Sequence, residues 1–259
     1  MKAMSGVNQL YKPTSSVQVG PKHSDLNDFI NQDPTEYVAR PLVDETLRRM
    51  IASAAFSVLP LAHQYDRIVG EDTSGRYPAL IVGAAINRVR EHAGLLPAER
   101  SFLSGRVPYK AQPDWQYLAD EKMLVVTEFI AGGASTARIL EALGSKVLEM
   151  PDFLTVDGNP QSCASITKGT LLNGGGRIFS GDLSYIDGYA DDHLCGVTSN
   201  SWKAITKNLG HAHAAVAPCD VDDLYYFGTE RQAVVASRRE AAAFGKHIAK
   251  YYLANKTIK

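Results

Sequence analysis

No stretch of this 259-residue chain approaches the roughly 20 consecutive apolar residues that span a bilayer. The N-terminus has no apolar signal core, so the cytoplasm is the expected compartment. Cysteine is scarce. Cys163, Cys195 and Cys219 are far apart and form no CxxC pair, which points to reduced core thiols rather than a disulfide frame or a zinc site. An excess of one charge is also missing. The formal net charge of −1 argues against a general nucleic-acid or anionic-membrane binder. No repeat or low-complexity tract is visible. There is no GxxxxGK followed by Ser or Thr, no GxSxG elbow, and no GxGxxG after a strand. P-loop, nucleophile-elbow and Rossmann dinucleotide sites are therefore not expected.

The rest of the composition is that of a globular protein, with 45% hydrophobic and 21% charged residues. The length suits one large domain, or a domain with a small appendage. Residues 1–35 are rich in Ser, Asn, Gln, Asp and Pro without apolar periodicity. They read as a loose arm, or one that orders only on a neighbour. Residues 36–150 read as the core, and 151–259 as the remainder of the same domain, carrying hood or partner- and acceptor-binding elements.

Asp44 suits a helix N-cap, with Leu47, Met50, Ile51 and Ala54 on one face of the helix that follows. A strand is expected over 65–71. The next helix has Pro78 in its first turn, where a missing N–H costs nothing, and Gly94 as its stop. A short strand at 101–104 and a long polar loop at 105–120 follow. The apolar run 123–130 reads as a strand, 135–143 as a helix and 146–150 as a further strand. "GRIFSG" (176–181) and "HLCGV" (193–197) are strand candidates. A closing helix over 229–253 has Thr229 and Gln232 spaced as a capping box. The alternation predicts an α/β fold, a mainly parallel central sheet flanked by helices, with 123–130 as its central strand and an additional C-terminal subregion.

Two turns have residues suited to chemistry. "VVTEFIAGGAST" (125–136) runs from a buried strand to a helix start. Small residues let backbone approach a ligand, and N–H groups at a helix start favour an anion. Gly132, Gly133, Ala134, Ser135 and Thr136 would thus cradle a phosphate, and Glu128 would accept hydrogen bonds from sugar hydroxyls. The plain alternative is a structural strand-to-helix turn with a solvated acid. "DTSGR" (72–76) offers Gly75 for unusual dihedrals and Arg76 for an anion, against the alternative of an ordinary surface turn. His211 and His213 lack a third metal ligand at convincing spacing, so an ordinary histidine pair is the simpler reading. The acid- and tyrosine-rich "DLSYIDGYADD" (182–192) reads more simply as a solvated loop than as a calcium-like loop or substrate hood.

"LVVTEFIAGGAST" resembles the phosphoribosyl pyrophosphate motif of type I phosphoribosyltransferases. That family has an apolar strand, two adjacent acids and a small-residue loop opening a helix. Thr127 and Glu128 would occupy the acidic pair, and Gly132 to Thr136 the 5′-phosphate loop. Thr127 departs from the family, which has Asp or Glu there. "YDRIVGEDTSGRYPALIVGAAI" (65–86) resembles the family's first strand, pyrophosphate loop and next helix. Asp72, Thr73, Ser74, Gly75 and Arg76 would form that loop. The 105–120 stretch falls where the family keeps a mobile lid, with Arg106, Tyr109 and Lys110 as its candidate ligands.

The resemblance covers about residues 42–150. It implies transfer of phosphoribose from phosphoribosyl pyrophosphate to a nitrogen nucleophile such as a nucleobase, with Mg²⁺ as cofactor. Its alternatives are a non-catalytic sensor of phosphoribosyl pyrophosphate or a nucleotide, and a specialised ribosyl-phosphate transferase or hydrolase. The acceptor is unspecified, and a homo-oligomer is left open.

Overall fold

The structure is a computed structural model. It describes residues 17–37, 45–71, 75–103, 120–130, 150–158, 176–182 and 230–256. Among these, six strands form one sheet: β1 (Val17–Val19), β2 (Arg67–Glu71), β3 (Glu99–Leu103), β4 (Met123–Ile130), β5 (Asp152–Gly158) and β6 (Ile178–Ser180). The order is β1-β6-β5-β4-β2-β3, and every pairing is parallel. Four α-helices are described: α1 (Asn27–Asn31), α2 (Glu45–Val58), α3 (Arg76–His92) and α4 (Glu230–Lys256). The fold is α/β, as the alternation predicts, and β4 is one of the two central strands.

The period of two assigns the two faces of the sheet. Leu124 and Val126 of β4, Leu154 and Val156 of β5, and Phe179 of β6 join the core built by the helices. Val69, Val125, Phe153 and Ile178 form a register row on the opposite face, and all four are buried. A sheet buried on both faces explains why β4 reads as an unbroken apolar run.

Helices form where the pattern places them, and Thr229 of the expected capping box lies outside the described residues. α2 buries Leu47, Met50, Ile51 and Ala54; Asp44 lies outside the described residues. A 3₁₀ turn, Leu59–Gln64, with Pro60 at its start, carries the chain to β2. Gly94, with φ 71°, stops the chain after α3. α3 lies between the sheet and α4. At Gly245 a Cβ would meet the Ile81 carbonyl oxygen at 2.3 Å, so only glycine admits this close helix contact.

Two expectations need correction. Residues 1–35 are not a loose arm throughout. Val17–Val19 pairs with β6, and Leu26, Phe29 and Ile30 are buried in the core. The polar composition hid three well-placed apolar residues in a short 3₁₀ and α-helical piece. Arg49 donates to the His23 carbonyl at 2.8 Å, and the Asp182 carboxylate accepts from the His23 N–H at 2.8 Å, which ties this segment to α2 and the end of β6. Burial holds the His23 imidazole below its usual pKa, against the opposing pull of Asp182.

The second correction concerns the strand expected at 146–150. Met150 is in no strand, 146–149 lie outside the described residues, and β5 begins at Asp152. Asp152, Thr155 and Asp157 broke the apolar pattern that would have marked β5. Asp152 is fully buried because its charge is answered. It accepts from the Tyr65 hydroxyl at 2.8 Å, from the Arg177 backbone N–H at 2.8 Å, and from the Arg177 guanidinium at 2.7 and 3.0 Å. Burial, then the Asp152 charge, raises the Tyr65 pKa well above its usual value, so Tyr65 remains a donor. The expected helix 135–143 and strand 193–197 lie outside the described residues.

Asp152→Ala would leave Arg177 and Tyr65 without their shared acceptor. The expected cost is about 3–5 kcal/mol, measured by chemical denaturation. A loss below about 1 kcal/mol would mean the cluster does not anchor β5.

Candidate functional site

A parallel sheet sends all its strands out at one edge. From β2 the chain goes through α3 to β3, on one side; from β4 it goes to β5, on the other. The C-terminal ends of β2 and β4 therefore flank a topological switch point, where α/β sheets form a ligand crevice. In the chain, Asp72 follows the last residue of β2, and Gly132 to Thr136 come just after the end of β4, so both sequence motifs follow the two strands that flank this point. The register pairs Ile68 with Leu124, Val69 with Val125, and Gly70 with Val126.

α3 begins directly after the first loop. Gly75 is its N-cap, no side chain caps it, and no acid lies in the first turn. Pro78 carries no N–H, so Arg76 and Tyr77 carry the backbone N–H groups of the helix's first turn. This is the local geometry an anion takes. Gly75 is buried and has φ −84° and ψ −10°, ordinary right-handed values. The expected unusual dihedrals are therefore not its role. Arg76 opens the helix, and its backbone alone is described.

Thr127 lies in β4, three residues before the strand ends, and is 2% exposed. It pairs with Thr155 of β5, which pairs with Ser180 of β6. All three are buried and form a row of hydroxyl side chains across the sheet. Thr127 thus has a place in the sheet interior that a carboxylate would fill only at a desolvation cost. Glu128 follows it within the strand, and its backbone alone is described. Asp72, Thr73 and Ser74, the loop Gly132, Gly133, Ala134, Ser135 and Thr136, and the lid residues Arg106, Tyr109 and Lys110 lie outside the described residues. So do His211, His213 and residues 183–192.

Sequence reasoning missed the switch point, which needs the strand order, and the hydroxyl row, which needs the register. It also passed over Glu71, the last residue of β2 and a second acid at a strand end flanking the crevice. Among the described residues no group of three or more His, Cys, Asp or Glu is placed to hold a metal ion, and no helix is long and apolar enough to cross a membrane.

Among solved structures, the chain is similar to a purine phosphoribosyltransferase from Pyrococcus horikoshii Ot3. The identity is 14%, the TM-score is 0.35, and the match covers 51% of this chain and 86% of that one. No protein-family model matches the chain, and no curated protein does.

Thr127→Asp would bury a carboxylate in this row. The expected result is destabilisation by several kcal/mol, seen as a clear fall in melting temperature. Thr127→Val is expected to cost about 1 kcal/mol. An aspartate variant as stable as the parent would mean that position 127 reaches solvent, or a ligand, at the sheet edge.

Proposed function

We propose that the protein binds phosphoribosyl pyrophosphate across the β2–β4 crevice and transfers its phosphoribosyl group to a nitrogen nucleophile such as a nucleobase. The observation that carries this reading is the adjacency of β2 and β4 at the switch point. The two motif loops, read from sequence as pyrophosphate-binding and 5′-phosphate-binding, follow neighbouring strands of one edge. One ligand with phosphates at both ends spans such a pair of loops.

In this reading the start of α3 supplies backbone N–H groups and Arg76 to the pyrophosphate. Gly132 to Thr136 hold the 5′-phosphate, with Ser135 and Thr136 adding hydroxyl donors. Glu128 accepts from the ribose hydroxyls. As the bond from C1 to pyrophosphate breaks, positive charge develops on the ribose ring, and a fixed carboxylate stabilises it more than it stabilises the ground state. The nitrogen lone pair of the acceptor forms the new bond to C1, and the proton it loses passes to solvent or to the pyrophosphate. Arg106, Tyr109 and Lys110 would close over the site and limit competition from water. Mg²⁺ takes one or two carboxylates beside substrate phosphates, and Glu71, at the end of β2, would be one candidate. The ion would neutralise charge on the leaving pyrophosphate.

A second reading, a non-catalytic sensor of phosphoribosyl pyrophosphate or a nucleotide, is favoured by Thr127. Its buried place in the hydroxyl row supplies no second carboxylate for the ribose. A neutral group there would weaken transition-state stabilisation by roughly 1.5–3 kcal/mol and leave ground-state binding less affected.

Calorimetric titration with phosphoribosyl pyrophosphate and Mg²⁺, followed by assay of pyrophosphate release with a panel of nucleobases, tests both readings. The parent is expected to bind, Gly133→Leu to lose binding, and Glu128→Gln to weaken it at least tenfold. Binding by Gly133→Leu equal to the parent's would overturn the site. Binding without pyrophosphate release for any acceptor would establish the sensor in place of the enzyme.

A further inference from the structure

A second place for a ligand lies away from the sheet edge. α4, the last turns of α3, and the segment around α1 line a half-open surface cavity of about 970 Å³, most of whose lining side chains are exposed. Small-molecule sites span about 300–1,000 Å³. Arg88 and Glu91 of α3 line it. They lie at the end of α3 that leads into the start of β3, so the cavity is at the opposite end of α3 from the candidate crevice.

The charge in this cavity is unevenly used. Arg88 is already paired with Glu91 at 2.5 Å. Lys246 and Lys250 are one turn apart on α4, and both line the cavity. Like charges at this spacing, with Cβ atoms about 5–6 Å apart, repel. Among the described residues neither lysine has an ion-pair partner. Asp28, on the α1 side of the cavity, has none either.

The aromatic wall is already fixed in place. The His247 ring stacks on Phe29 with centroids 4.7 Å apart, and Nε2 donates to the Phe29 carbonyl at 3.1 Å. Tyr251 meets Phe29 edge-on at 5.3 Å. Pro34, Ala243 and Ala254 add apolar surface. These ring contacts hold His247 and Tyr251 before anything binds, which lowers the ordering cost at that wall.

We infer that this cavity binds a phosphorylated, ring-bearing small molecule. The phosphate lies at Lys246 and Lys250, where its charge of about −1.5 to −2 answers both ammonium groups and relieves their repulsion. The ring lies along Tyr251 and the alanine surface. A donor on the ring reaches the Asp28 carboxylate. The inference is independent of the proposed activity, because it uses no residue of the β2–β4 crevice.

The test is calorimetric titration of the full chain, with and without Gly133→Leu, the variant expected to lose phosphate binding at the sheet edge, using AMP, adenosine and inorganic phosphate as probes. AMP is expected to bind at one site and adenosine at least tenfold more weakly. Adding Lys246→Ala and Lys250→Ala is expected to weaken AMP at least tenfold with the melting temperature unchanged. Asp28→Asn, a smaller change at the opposite wall, is expected to weaken AMP and leave inorganic phosphate unaffected. Failure of AMP to bind, equal binding of adenosine, or AMP binding that survives loss of both lysines would each overturn the assignment.

Discussion

The parallel pairing of β2 with β4 decides where both candidate loops leave the sheet. Contacts ahead of the pair fix its register. The Asp66 N–H donates to the Lys122 carbonyl at 2.9 Å, and the Lys122 N–H donates back to the Asp66 carboxylate at 3.1 Å. Arg67 makes a two-nitrogen contact with Glu121, just before β4, at 2.5 and 3.0 Å, and reaches Glu99 of β3 at 2.7 Å. One guanidinium thus joins the starts of three strands. Half-exposed ion pairs contribute little energy singly, but a bidentate one carries geometric information. A slip of one residue would turn Val125 and Thr127 to the helix side and bring Leu124 and Val126 to the other face.

Much of this architecture was legible in the sequence. β4 was readable because both its faces are buried, and α3 because Pro78 marks its first turn and Gly94 its stop. β5 was not readable, because Asp152 is buried against Tyr65 and Arg177, residues 87 and 25 positions away. No local pattern reports partners at such distances. The packing of residues 26–30 was hidden for a similar reason. Phe29 is buried by α2 and α4 residues, among them Phe56 and Phe244.

The candidate site was legible as two loops and illegible as one place. Spacing along the chain gives the residues at 72–76 and 132–136. It does not say that β3 lies outside β2 while β4 returns to its inner side, the order that makes neighbours of the two strands that precede these residues. Thr127 shows the same limit in a single residue. Beside Glu128 it reads as an acid replaced by a hydroxyl. In register with Thr155 and Ser180 it is one of three buried hydroxyl residues, a structural reason for threonine that needs no lost function.

The central claim is that one ligand bridges the loops after β2 and β4. Hydrogen exchange with and without phosphoribosyl pyrophosphate and Mg²⁺ tests it most directly, because exchange reports backbone protection along the chain. The account predicts slower exchange in both 72–78 and 128–137 when the ligand is bound. Protection in one of these segments alone, or in neither, would contradict it.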